Sequence, residues 1–118
     1  MKLIINADDF GYTKGSNQAI LDLAQAGSLT STTVMANMTE SRHAPTLKEC
    51  RGTSIGLHLN LTEGPPVSNP TTIRSLVDEN GIFAGKVALQ RRCRQNRVSE
   101  DEVYRELNAQ YDRLHSLV

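Results

Sequence analysis

An apolar run beginning at Leu3-Ile4-Ile5 reaches Ala7 and meets two adjacent carboxylates, Asp8 and Asp9. This pattern predicts a first strand over Lys2–Ala7, broken at "DDFG", where Gly11 can supply a turn. Between Ser16 and Ala26, Ala19, Ile20, Leu23 and Ala24 recur at helical spacing, and Gly27 stands where a helix would stop. The β-branched stretch "STTVMANM" predicts a second strand, and "SRHAPTLKEC" a helix with Pro45 in its early turns. In "TSIGLHLNLTEG", Ile55, Leu57, Leu59 and Leu61 alternate with Ser54, Gly56, His58 and Asn60, the period of a third strand. A Pro- and Gly-bearing loop, "TEGPPVSNPTT", follows, then a helix over Ile73–Asp78 and a turn-bounded "NGIFAG". The last predicted element is a helix capped by Ser99, acidic in its first turn, with Val103, Leu107, Tyr111 and Leu114 as its apolar stripe.

Alternating strands and helices predict an α/β fold with parallel strands, whose active residues gather at the strands' C-terminal ends. Asp8 and Asp9 close the first strand and His58 stands near the end of the third, so one rim would hold all three. Adjacent carboxylates repel each other unless a cation or hydrogen-bond donors gather around them. An aspartate and an imidazole are sound ligands for a divalent ion, and a second aspartate beside them is placed to act as a general base. Neighbouring residues of an ideal strand point to opposite faces, so the chain must leave strand geometry at Asp8 or Asp9 for both acids to reach one site, with the bend expected at Phe10 and Gly11. Each residue also has a plainer reading: "DD" as a helix cap or solvated turn, His58 as a hydrogen-bonded filler.

Length and charge narrow the field. At 118 residues, the chain is expected to form a single α/β domain over 1–118. Thirteen basic side chains balance thirteen acidic ones, which gives no global field toward nucleic acid or an anionic membrane and favours small, neutral partners. The basic run "KVALQRRCRQNR" lacks interleaved aromatics, is answered at once by "SEDE", and reads as a solvated helical face. No apolar run approaches the roughly 18 residues of a membrane span. Acids arrive too early for a signal peptide, and Cys50 and Cys93 lack zinc-ligand or CxxC spacing, so a cytoplasmic protein with reduced thiols is the expectation, one disulfide remaining open.

Four segments, "INADDFGYTKGSNQAI", "TSTTVMANM", "GLHLNLTEGPPVS" and "ELNAQYDRL", in this order, resemble the YdjC-like carbohydrate deacetylases, which include bacterial chitooligosaccharide deacetylases. The resemblance spans nearly the whole chain, and the pairing of "ADDFG" with "GLHLNLTEG" is its most specific part. It implies a (β/α) barrel of the polysaccharide deacetylase type that removes the acetyl group of an N-acetylated oligosaccharide with a divalent metal, commonly magnesium. By the same resemblance Asp8 is the catalytic base and Asp9 and His58 are metal ligands, while Glu63, Gly64, Pro65 and Pro66 line a sugar-binding rim. Asn37, at the end of the second strand, is a further candidate sugar contact or a helix cap, and Glu63 reads equally as an exposed loop acid. The ligand chemistry alone leaves zinc, cobalt or manganese open.

Members of that family continue past the segment matching the last helix, into a strand whose Asp- and His-rich motif supplies a further ligand and on to a His that acts as general acid. The chain at hand is therefore expected to be a truncated barrel, inactive alone, with an exposed sheet edge that favours a homodimer or other self-association. His43 and His115 read as surface side chains rather than substitutes. Two rival readings stay in play: a metal-dependent phosphoester hydrolase, against which stands the absence of a Gly-rich phosphate loop, and a non-catalytic sugar-binding or assembly module.

Overall fold

The computed structural model describes residues 3–118. Three parallel strands, β1 (Asn6–Phe10), β2 (Ser31–Val34) and β3 (Ser54–Leu57), form one sheet in the order β1-β2-β3. Helix α1 (Lys14–Gln25) connects β1 to β2, and a 3-10 helix (Thr39–Glu49) connects β2 to β3. After β3 the chain makes a long excursion, with a short 3-10 turn at Pro70–Thr72, before α2 (Lys86–Arg94) and α3 (Glu100–Leu117). The α/β class with a parallel sheet is thus as expected, and among the described residues no helix is long and apolar enough to cross a membrane.

The first strand is displaced from its expected place. Lys2 lies outside the described residues, and β1 runs through the two acids rather than ending before them. Its register to β2 shifts between Ala7 and Phe10, a bulge that contains both carboxylates. Helix α1 starts earlier than the apolar spacing suggested because Thr13 and Ser16 form a reciprocal capping box. It ends in a Schellman motif: Gly27, at φ +70°, donates to the Ala24 carbonyl while the Ser28 amide donates to Leu23. Its inward face is Asn17, Ile20 and Ala24, whereas Leu23 is exposed.

The expected helix after β2 is a 3-10 helix, not an α-helix. Ser41, Ala44, Leu47 and Cys50 are buried at intervals of three residues, the repeat of three residues per turn, and Pro45 has no amide hydrogen to give an α-helical bond. No helix forms over Ile73–Asp78. There the chain turns back, pairs Val77 with Phe83 in an antiparallel bridge, and is held by the Arg92 guanidinium, which donates to the Ser75 and Val77 carbonyls at 2.9 Å each. The basic helix α2 has no fully buried residue and meets the rest of the chain through Arg92 and the half-buried Leu89. Cys50 is buried, Cys93 is exposed, and both are free thiols.

Two apolar clusters result. One lies about the sheet and contains Phe10, Ile20, Leu29, Val34, Leu47 and Leu114. A smaller one, Ile73, Leu76, Val77 and Phe83, sits within the excursion and gathers Leu61, Leu89, Val98 and Val103. Helix α3 serves both, Val103 on the second and Leu114 on the first. The expected stripe on α3 is corrected in the middle: Tyr111 is exposed, and the buried residues are Glu106, Gln110 and Leu114.

Candidate active site at the strand ends

Backbone bonds extend just past the strands and fix where the site residues stand. The Met35 amide donates to the Phe10 carbonyl at 2.8 Å, and the His58 amide to the Val34 carbonyl at 2.9 Å. Between these stitches, β1 leaves strand geometry at Asp9, whose φ is +68°. A non-glycine residue in this region is strained by about 1–3 kcal/mol, least for Asp and Asn, and such strain survives only where the surroundings impose it. Strand geometry is thus left at Asp9, one of the two acids where the departure is expected, and the bend continues to Gly11. Gly11 completes it at φ +102°, where a β-carbon would lie 3.1 Å from the Met35 carbonyl and from Ser41. Buried Asn17 of α1 locks the turn: its Oδ1 accepts from the Gly11 amide at 2.6 Å and its Nδ2 donates to the Glu40 carbonyl at 3.0 Å.

This bend brings Asp8, Asp9 and His58 together. His58 Nδ1 lies 3.4 Å from Asp9 Oδ1 and 4.0 Å from Asp8 Oδ1. Thr33, from the central strand, joins them: its hydroxyl donates to Asp8 Oδ1 at 2.7 Å and stands 3.2 Å from His58 Nδ1. A hydroxyl has one hydrogen. With that hydrogen given to Asp8, the Thr33 oxygen presents a lone pair on the His58 side. The space beside Nδ1 is thus faced by two carboxylates and a hydroxyl oxygen, which is a place chemically suited to a cation.

Asp8 also accepts from Asn6 Nδ2 at 2.7 Å. The Thr33 hydroxyl is the main reason that its carboxyl lies below the ordinary carboxylate range; desolvation opposes the shift, and the Asn6 amide and the charge of His58 add to it. Asp8 is therefore held ionised at neutral pH. The aspartate side chains are more than half exposed, at 60% and 54%, so the site opens directly to solvent.

Asp9 and His58 suit a metal ion as a pair. A tetrahedral ion with bonds of about 2.1 Å spaces its ligands about 3.4 Å apart, the separation found between Asp9 Oδ1 and His58 Nδ1. No group of three or more His, Cys, Asp or Glu side chains among the described residues has the arrangement to hold an ion by itself.

The loop beyond His58 is built on Asn37 and Asn60, both buried. Asn37 Nδ2 donates to the Glu63 and Pro65 carbonyls at 2.9 and 3.0 Å, and its Oδ1 accepts from Asn60 Nδ2 at 2.9 Å. The Asn37 amide is therefore occupied in shaping the loop. Gly64, at φ +72°, approaches so closely that a β-carbon would fall 2.7 Å from Met38 Sδ. Glu63 and Pro65 are exposed, and Pro66 is half-buried. His43, paired with Glu40 at 3.2 Å, and His115, edge-on to Tyr111, belong to other parts of the surface. Thr33, Asn17 and Asn60 are not visible as site residues in the sequence because each acts through a partner more than twenty positions away; Asn6 bonds Asp8 only two residues on, and its place beside the two acids is the available signal.

Comparison with known proteins gives the family. The profile of the YdjC-like protein family matches residues 2–117. The chain is 46% identical to carbohydrate deacetylase 2 of Listeria innocua over 96% of its own length and 44% of that protein. To the chitooligosaccharide deacetylase of Serratia marcescens it is 41% identical, over 98% of this chain and 44% of the relative. A crystal structure from Enterococcus faecalis V583, assigned provisionally as a cellobiose-phosphate cleavage protein, superposes with a TM-score of 0.83 at 33% identity, covering 96% of this chain and 43% of the other. The chain spans less than half the length of these relatives. With the family profile matched from one end to the other and the acids and imidazole gathered at the ends of a parallel sheet, the chain belongs to the YdjC-like protein family.

Proposed function

We propose that the protein is a metal-dependent carbohydrate N-deacetylase acting on N-acetylated, chitooligosaccharide-type sugars, and that its three parallel strands are the first part of a (β/α) barrel. The observation that carries this reading is the meeting of Asp8, Asp9 and His58 around one cation-favouring position. The deacetylase names of relatives at 41% and 46% identity support it.

In this reading Asp9 and His58 hold a divalent ion, magnesium by family resemblance or zinc by ligand chemistry. When bound, that ion supplies a Lewis acid for the acetyl carbonyl and lowers the proton affinity of water. Asp8, kept ionised by Thr33 and Asn6, takes a proton from the attacking water as general base. The water oxygen bonds to the acyl carbon, the amide C–N bond breaks, and the proton drawn off by Asp8 is returned to the leaving nitrogen, so that the products are acetate and a free amine on the sugar. Glu63, Gly64, Pro65 and Pro66 form the rim that meets the sugar, and Asn37 contributes by holding their backbone.

The test is acetate release from N-acetylated chitooligosaccharides by the full-length protein. Asp8→Asn should lower turnover by about 10²–10⁴-fold, the usual contribution of a positioned base, and His58→Ala should weaken divalent-ion binding; full turnover in both variants would sink the proposal. A second reading, cleavage of a phosphorylated disaccharide, is favoured by the assignment given to the Enterococcus structure. Inorganic phosphate or free sugar released from cellobiose phosphate, without acetate release from the acetylated sugar, would select it.

A further inference from the structure

A closed circuit of buried and half-buried hydrogen bonds surrounds the loop from Asn60 to Ser68, and helix α3 completes it. The Val67 and Ser68 amides donate to Glu106 Oε1 and Oε2 at 3.0 and 2.8 Å. Gln110 Nε2 donates to Glu106 Oε1 at 2.8 Å and to the Asn60 carbonyl, while its Oε1 accepts from the Asn60 amide at 3.1 Å. Asn60 Oδ1 in turn accepts from the Thr62 and Glu63 amides at 3.0 Å each, and its Nδ2 donates to the Glu63 carbonyl at 2.8 Å. Asn37 then closes the path to Pro65.

Glu106 is fully buried. A buried carboxylate in mid-helix is costly unless donors surround it, and an apolar residue at that position would pack at lower cost. Its presence makes sense as an anchor. Pro65 and Pro66 have no amide hydrogens, so Val67 and Ser68 offer the first free donors after Gly64, and the two oxygens of Glu106 take one each. The amide of a glutamine would offer one oxygen and turn an N–H toward the other donor.

We propose that Glu106 is a positioning residue for sugar binding, fixing the Asn60–Ser68 loop from α3 without touching the Asp8–Asp9–His58 cluster. This rests on the deacetylase reading, in which that loop forms the sugar rim. The experiment compares the full-length protein with Glu106→Gln and with Gln110→Met, a second interruption of the circuit. Both variants should raise KM for triacetylchitotriose, and its Kd by calorimetry, at least tenfold. They should leave kcat within threefold and the affinity for the divalent ion unchanged. In the unaltered protein the Val67 and Ser68 amides should exchange hydrogen as slowly as the Met35 and His58 amides of the strand ends, and Glu106→Gln should speed only the first pair. Free-loop exchange rates at Val67 and Ser68 in the unaltered protein would overturn the proposal even if Glu106→Gln does not fold. So would unchanged sugar affinity in the folded variants, or a parallel loss of metal affinity. Absence of acetate release by the unaltered protein would end the deacetylase reading, while calorimetry and exchange would still decide the role of Glu106.

Discussion

The sheet region and the excursion after it solve the same problem by different means. Around β1, β2 and β3 the backbone groups satisfy one another in parallel ladders, and the large cluster that includes Phe10, Val34 and Leu47 fills the space beside them. From Leu61 to Val98 there is almost no ladder and only a small cluster around Phe83, so side chains reach in to meet the backbone. Glu102, Glu106, Arg92 and Arg105 bind the backbone of Ser75, of Val67 and Ser68, of Ser75 and Val77, and of Thr72. A segment with little regular structure can thus have its backbone groups satisfied, provided that neighbouring helices supply enough long polar side chains.

Matched core truncations would sharpen this contrast most. Phe10→Ala and Phe83→Ala each remove a buried ring, a change that costs about 3–5 kcal/mol in a well-packed site. Phe10→Ala should destabilise the whole fold, read as a lower urea midpoint. Phe83→Ala should open the excursion first, speeding amide exchange at Ala84 and Val67 while the Met35 amide stays protected. Simultaneous loss of protection in both regions would show that they unfold as one unit.

A smaller effect comes from Gly11→Ala. It combines a positive φ with a β-carbon placed 3.1 Å from the Met35 carbonyl and Ser41, so a loss of about 1–3 kcal/mol is expected. The same variant should weaken divalent-ion binding by moving Asp9, whereas Gly52→Ala, at a positive φ with open space around it, should affect stability alone. Equal metal affinities in the two variants would separate the Gly11 turn from the site.

The smallest effect concerns pH. Thr33 holds the Asp8 carboxyl below its ordinary range, so its stabilisation is present above the unfolded-state value of Asp8 and is lost as pH falls through the lower folded value. Thr33→Val should move the Asp8 titration, followed by carboxyl-carbon NMR, upward toward the ordinary range. The part of the stability difference due to this contact should vanish in acid. An unmoved titration would assign the shift to Asn6 and His58 instead.

Periodicity made much of the sheet region legible. A β-branched stretch and the segment "SIGLHL" mark β2 and β3, and the alternation of strands with helices brings Asp8, Asp9 and His58 to one rim, whereas the apolar run Leu3–Ile5 is exposed and precedes β1 rather than forming it. The need to bring two adjacent acids to one site implies a departure from strand geometry at Asp8 or Asp9, but which of the two takes the left-handed conformation leaves no mark on the hydrophobic pattern. The helix expected in "SRHAPTLKEC" is present, and its 3-10 type follows from the three-residue spacing of Ser41, Ala44, Leu47 and Cys50. On α3, Glu106 and Gln110 have the composition of a surface face. Their partners are backbone groups about 40 and 50 positions earlier, and a pattern of polar and apolar letters cannot register a bond to an amide of any residue type.

The anchoring side chains of α3, Glu102, Glu106 and Gln110, stand four residues apart. Inserting or deleting one residue between them would rotate one part of the set by about 100° about the helix axis, leaving chemically intact anchors aimed away from the loop. Homologous chains that keep this loop should therefore vary freely in composition along the outer face of α3 while keeping its length unchanged from Ser99 to Leu114.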